Sequence, residues 1–219
     1  MGKERIGLLG GTFNPVHQGH LKAAAEVLRK TGLSRVLFIP SYIPPHKETA
    51  GVASPEDRFA MVELAVADHP RFVASAVEIE AKEKSYSIVT LGKVRDAHPD
   101  AWIFFLLGID AFLEIETWRA YQEVLGKCHF IVISRPGFRL ADARKVLDEP
   151  YSGWIHALRG RMPSGDALLQ RFRIFIVPIH ALDISSTDIR RRIKQGLPIR
   201  GLVPEAVEAF IRKRRLYQE

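Results

Sequence analysis

Two histidines three positions apart, His17 and His20, close a stretch that reads Gly10-Gly11-Thr12-Phe13-Asn14-Pro15-Val16-His17-Gln18-Gly19-His20. Paired glycines let a backbone turn sharply and approach a ligand closely. A helix starting at the end of such a turn offers unpaired N–H groups and a positive dipole end to phosphate. At a helix start, side chains three apart project from one side. Imidazoles so placed can donate hydrogen bonds to triphosphate oxygens, more strongly when protonated, as charge moves onto a leaving pyrophosphate. The stretch is neither G-x-G-x-x-G nor G-K-[ST], which sets it apart from the dinucleotide fingerprint and the P-loop. Two plainer readings stand beside it. The glycines could only turn the chain while the histidines cap a helix, or the histidines could bind zinc, although the spacing supplies no third ligand.

A second group lies near the other end of the chain, where Ser185-Ser186-Thr187 directly precedes a helical stretch and Arg190 follows one turn later. Hydroxyls and helix N-terminal amides together can grip anionic oxygens, and the same residues could equally be a plain N-cap on a basic helix. Four more segments carry candidate polar or aromatic groups. Pro44-Pro45-His46-Lys47 is a stiff loop with a fixed charge, or an ordinary surface turn. Ser85-Tyr86-Ser87-Ile88-Val89-Thr90 reads as a helix cap and first turn. Gly108-Ile109-Asp110 ends an apolar run, and Asp110 could accept hydrogen bonds from a ribose or cap a helix from Phe112 onward. Trp118 offers a flat ring suited to stacking, a use to weigh against core packing.

Short apolar runs alternate with stretches of helical period, and this rhythm would position those groups. Strands are expected at Ile6 to Leu9, Val36 to Ile39, Phe72 to Val77, Trp102 to Leu107, Phe130 to Ile133 and Phe172 to Val177. Helices are expected at Leu21 to Leu28, Glu56 to Val66, Ile88 to Ala97, Thr187 to Gln195 and Pro204 to Arg214. Gly32 and Gly196 fall where helix C-termini favour a left-handed residue, and Ser54-Pro55-Glu56 puts proline at a first helical position. The expected fold is α/β: one Rossmann-like, doubly wound parallel-sheet domain over residues 1–219, with 184–219 a small helical C-terminal portion. Leu140 to Gln170 has weak periodicity and reads as an insertion of helix and loop. Open parallel sheets bind ligands at the carboxyl ends of their strands, where the glycine-rich stretch, the 44–47 loop and Gly108 would all lie.

Composition narrows the classes. With 219 residues, 47% hydrophobic and 26% charged, the chain can bury one sizeable core. Its longest apolar runs fall far short of the roughly 20 residues that span a bilayer. The N-terminus enters an apolar strand within a few residues and lacks a signal-peptide pattern, so the expected location is the cytoplasm. A single cysteine, Cys128, excludes an intrachain disulfide and a multi-cysteine metal site, and reads as packed at a strand start. The net charge of +7 favours anionic partners, but without an RNP-type aromatic motif it does not argue for nucleic acid.

On these residues the chain resembles the HxGH nucleotidyltransferases and, within them, the bacterial nicotinate-nucleotide adenylyltransferases. Gly10 to His20 matches the pattern GGTF[DN]PxHxGH, and Ile184 to Arg190 matches ISSTxIR. The tail from Leu202-Val203-Pro204 to Leu216-Tyr217 is also similar, so the resemblance covers nearly the whole chain. It implies that Gly10, Gly11, Thr12, Phe13, His17 and His20 contact ATP together with Gly108, Asp110, Ser186, Thr187 and Arg190. His17, His20 and Arg190 are implied as the catalytic set. His46, Lys47, Ser87, Thr90, Trp118 and Arg135 are implied to face the acceptor, with Ser87 standing where threonine is usual.

The implied reaction joins ATP and nicotinate mononucleotide to give nicotinate adenine dinucleotide and pyrophosphate. Magnesium would arrive with ATP and bind through its phosphates, with no metal site made by the protein itself. No membrane or nucleic-acid partner is expected, and a homo-oligomer is compatible with the sequence. The nearest rivals are adenylyl transfer to nicotinamide mononucleotide or phosphopantetheine, and a non-catalytic nucleotide-binding module.

Overall fold

Apolar runs buried on both faces make the strands, as a parallel sheet covered by helices requires. In the computed structural model, which describes residues 3–43, 51–134, 143–163, 165–171, 173–180 and 182–218, seven strands form one sheet. They are β1 (Arg5–Gly11), β2 (Arg35–Pro40), β3 (Phe72–Ala74), β4 (Trp102–Gly108), β5 (His129–Ser134), β6 (Ile155–Ala157) and β7 (Ile174–Pro178). The order is β3-β2-β1-β4-β5-β7-β6. Pairings β1–β4, β4–β5, β5–β7 and β6–β7 are parallel, with Ile6 opposite Ile103 and Leu106 opposite Ile131. The order reverses between β1 and β4, which makes the fold Rossmann-like and doubly wound, as expected from the βαβ rhythm.

The helices are α1 (Gln18–Thr31), α2 (Pro55–Val66), α3 (Val77–Ala81), α4 (Ser87–Ala97), α5 (Ile109–Leu113), α6 (Tyr121–Lys127), α7 (Ala167–Arg171), α8 (Ser186–Lys194) and α9 (Glu205–Arg214). Their ends follow local chemistry. Ser54 Oγ accepts from the Asp57 amide at 3.0 Å with Pro55 at the start of α2, and Gly32 and Gly196 both take a φ of 67° beyond α1 and α8. Among the described residues, no helix is long and apolar enough to cross a membrane.

Three expectations need adjustment. The strand expected at Phe72 to Val77 stops at Ala74, and Val77 opens α3 instead; only Phe72 is buried in β3, so one anchoring side chain supports a three-residue strand. The last long strand is shifted to Ile174–Pro178. The stretch expected as helix and loop also contributes β6, which pairs with β7 at the sheet edge. Three residues are too few to show a period of two, so this strand exists through its pairing.

Contacts divide the chain into two compact units. One comprises residues 1–9, 25–37 and 86–180. Its core contains Phe104, Phe130 and Phe175, all fully buried, and Arg5 of β1 donates to the carbonyls of Pro163 at 3.2 Å and Gly165 at 3.1 Å. The other comprises residues 10–24, 38–85 and 181–219. Here α9 packs on α2, where Arg214 pairs with Asp57 at 3.0 Å, and the Gln18 amide at the start of α1 donates to Leu202 O at 2.9 Å.

Candidate active site

The glycine-rich stretch forms the turn from β1 into α1. Phe13 takes a φ of 48°, an uncommon backbone for a bulky residue, and its ring is buried against Phe38, with centroids 5.9 Å apart. The same ring meets His20 edge-on at 5.0 Å. His17 and His20 stack, centroids 3.7 Å apart and planes 29° from parallel. The His17 main-chain N–H donates to His20 Nδ1 at 3.2 Å, which requires Nδ1 to be unprotonated and puts the neutral ring's proton on Nε2. His17 is 7% exposed, its Nδ1 is buried without a hydrogen-bond partner, and burial pushes its pKa from 6.5 down to about 4. At neutral pH His17 is therefore an uncharged imidazole, not the protonated donor that would bind phosphate most strongly.

The glycine between the histidines is explained by the same stack. A Cβ on Gly19 would lie 3.0 Å from both Cε1 and Nδ1 of His17, closer than ordinary van der Waals contact allows. With no side chain at position 19, His17 lies back across the chain without that tight contact.

The second signature is built onto this loop. Ser185 Oγ caps α8 by accepting from the Asp188 amide at 3.1 Å. Ser186 Oγ donates to the Pro15 carbonyl at 2.9 Å, and Arg190 Nη1 donates to the Asn14 carbonyl at 2.9 Å while Nη2 reaches Thr187 Oγ1 at 3.4 Å. Thr187 itself is exposed. Ser185 thus caps the helix, while Ser186 and Arg190 tie its start to the glycine-rich loop.

A network of other side chains converges on the loop. Asn14 Nδ2 donates to Gly51 O at 3.1 Å, and Asn14 Oδ1 accepts from the Ala53 amide at 3.0 Å and from the Tyr217 hydroxyl at 2.8 Å. Burial pushes the Tyr217 phenol above its ordinary pKa, so it remains a protonated donor at neutral pH. Arg58, 1% exposed, donates to the carbonyls of Thr12, Ser41, Tyr42 and Ala53.

Gly108, Asp110, Ser87, Thr90 and Trp118 lie in the other unit. Gly108 closes β4 and Asp110 is exposed in the first turn of α5. Ser87 opens α4, and Thr90 is buried with its hydroxyl donating to Tyr86 O at 3.3 Å. Trp118 is half-buried, edge-on to Phe105 at 5.6 Å, and its neighbour Arg119 covers the Tyr86 ring at 4.7 Å. That cation–π contact brings the start of α4 and the Trp118 segment together. His46, Lys47 and Arg135 lie outside the described residues.

Residues 8–192 match the cytidylyltransferase-like family. A protein of Desulfitobacterium hafniense named as a probable nicotinate-nucleotide adenylyltransferase is 45% identical over 98% of this chain and 96% of its own length. A protein of the same name from Pelobacter propionicus is 41% identical over 98% and 99%. The chain belongs to the nicotinate-nucleotide adenylyltransferase family. Its fold is also that of the Plasmodium falciparum nicotinic acid mononucleotide adenylyltransferase complexed with NaAD, with a TM-score of 0.71 at 18% identity over 98% of this chain and 97% of that one.

In this adenylyltransferase, sequence reasoning passed over Arg58, Asn14 and Tyr217. A signal existed for the first: the buried face of α2 runs Arg58, Met61, Val62, Ala65, so a cation occupies the apolar stripe of an amphipathic helix. Asn14 sat inside the recognised motif, but only its long-range partners reveal what its amide does. Tyr217 had no local signal, because its hydrogen bond spans 203 positions of chain.

Proposed function

We propose that the enzyme joins ATP and nicotinate mononucleotide to form nicotinate adenine dinucleotide and pyrophosphate, a step in making NAD. The observation that carries this reading is the stacked His17–His20 pair at the turn into α1, with Ser186 and Arg190 of α8 tied to the same loop. These groups offer a nucleoside triphosphate helix N-termini, an imidazole N–H and a guanidinium from adjacent chain segments.

The acceptor's phosphate already carries an anionic oxygen, so neither a covalent intermediate nor a general base is needed. That oxygen attacks the α-phosphorus in line, one P–O bond forms, and the bond to pyrophosphate breaks with the electron pair leaving on its oxygen. His20, held in the Nε2–H tautomer, donates to phosphate oxygen as charge builds. Gly10, Gly11, Thr12 and Phe13 supply close backbone approach. The family resemblance assigns Thr187, and separately Gly108 and Asp110, to ATP. His46, Lys47, Ser87, Thr90, Trp118 and Arg135 serve the acceptor.

Among the described residues, no group of three His, Cys, Asp or Glu side chains is placed to hold a metal ion. Imidazoles, hydroxyls and a guanidinium suit magnesium carried by the triphosphate and its waters, where it neutralises part of the polyphosphate charge. The reading places the enzyme in the cytoplasm, with small-molecule partners only. Incubation with ATP, magnesium and each of nicotinate mononucleotide, nicotinamide mononucleotide and phosphopantetheine, followed by pyrophosphate release, tests it. Turnover with the first acceptor is expected, and ATP binding with no pyrophosphate from any of the three would reduce the protein to a nucleotide-binding module.

A further inference from the structure

An arginine on the apolar face of a helix is costly to bury, and Arg58 of α2 is 1% exposed. Burial lowers its pKa, while the fields of Tyr217, Glu56 and Glu78 favour its charge. Its fork meets main-chain carbonyls: Nε reaches Ala53 at 3.0 Å, Nη1 reaches Thr12 at 2.9 Å and Ser41 at 2.6 Å, and Nη2 reaches Tyr42 at 3.1 Å. These acceptors come from three segments: the glycine-rich loop, the end of β2, and the approach to α2. A planar guanidinium can hold several carbonyls in a fixed geometry, as a single flexible ammonium cannot.

The contact with Thr12 bears on the site. In a trans peptide the carbonyl and the following N–H point in opposite directions, so drawing Thr12 O toward Arg58 turns the Phe13 amide away from it. Phe13 is the residue with a φ of 48°, a conformation that persists only where surroundings over-determine it. Arg58 holds the near side of that residue. The far side is held through Asn14, whose carbonyl accepts from Arg190 at 2.9 Å and whose side chain is bonded to Gly51, Ala53 and Tyr217. The Phe13 ring in turn supports His20 from 5.0 Å.

We propose that Arg58 is a positioning residue for adenylyl transfer: from inside the protein it locks the Thr12–Phe13 turn, so that the loop amide and His20 meet the triphosphate in a single geometry. It touches no substrate and acts through the loop. The proposal rests on the adenylyl-transfer reading for its kinetic consequence, but not for its structural one.

The test compares the full chain with Arg58→Met and Arg58→Lys, each normalised to its folded fraction by near-UV circular dichroism. A misplaced loop should lower kcat of Arg58→Met by about 30-fold or more at saturating ATP and nicotinate mononucleotide, with the ATP Kd changed by less than about threefold. Arg58→Lys, which keeps a charge and some donors, should recover kcat by at least about threefold over Arg58→Met. Amide hydrogen exchange across residues 12–14 without substrates should speed up by about tenfold or more in both variants. Folded Arg58→Met with kcat within about twofold of wild type, or a loss confined to ATP affinity, overturns the proposal. If Arg58→Met does not fold, the same limits applied to Arg58→Lys decide. A wild-type enzyme that releases no pyrophosphate refutes the adenylyl-transfer reading instead, and unchanged exchange at 12–14 then still counts against Arg58.

Discussion

The two histidines of the signature differ in what burial has done to them. His20 presents Nε2–H because its Nδ1 is occupied by the His17 amide, so its contribution should grow as negative charge develops on the phosphates. His20→Ala is expected to lower kcat by about 10²- to 10³-fold while changing the ATP Kd much less, as read from steady-state kinetics beside calorimetric binding. Equal losses in both would make it a ground-state ligand. His17 is uncharged when folded, with a pKa of about 4 against 6.5 for a free imidazole. Between these values the unfolded chain binds more protons than the folded one. Stability is therefore complete above pH 6.5 and declines as pH falls toward 4. Buried His129 is shifted in the same direction by the same cause. His17→Asn should flatten part of this acid decline, measured by denaturant unfolding at about pH 5 and about pH 7.5. An unaltered difference between the two pH values would contradict it.

The turn from β1 into α1 and the start of α8 act as one unit because each supplies what the other lacks. The loop leaves carbonyls at Asn14 and Pro15, and α8 answers with Arg190 and Ser186. Within this pairing a Cβ at Gly19 would sit 3.0 Å from the His17 ring, so the ring would have to give by a few tenths of an ångström. Gly19→Ala should leave the α1 helix intact, alanine being the better helix former, yet push His17 out of the stack. Activity is expected to fall by about ten- to a hundredfold with thermal stability little changed. Wild-type turnover in the alanine variant would show that the His17–His20 stack is not needed.

Across the whole molecule, the proposed acceptor residues come from well-separated segments: Ser87 and Thr90 on α4, and Trp118, whose neighbour Arg119 packs over Tyr86. Nicotinate and nicotinamide mononucleotides differ by a carboxylate against a neutral amide. Donors that satisfy the carboxylate are left facing an NH₂ group, at about 1–3 kcal/mol for each unpaired group. A kcat/KM preference for nicotinate mononucleotide of roughly ten- to over a hundredfold is expected, and Trp118→Ala should raise the KM of the acceptor more than that of ATP. Equal use of both acceptors in a side-by-side assay would remove the preference while leaving adenylyl transfer standing.

The sequence by itself determined whatever depends on near neighbours. The strands of the central sheet follow from apolar runs such as Trp102 to Leu107. The cap of α2 follows from Ser54-Pro55, and both signatures were legible at their full length because each is contiguous. Short elements such as β6, α5 and α6 were not legible, since they contain too few residues to express a period. Only the tertiary structure decided how the signature residues are used. Arg190 and Ser186 bind carbonyls more than 170 positions away, Tyr217 reaches Asn14 across 203, and Arg58 draws three segments onto one guanidinium. His17 is neutral because of the atoms packed around it, not because of the residues beside it in the chain. Periodicity and propensity act over a few residues, whereas desolvation and long-range hydrogen bonding depend on which distant groups the closed fold brings into contact.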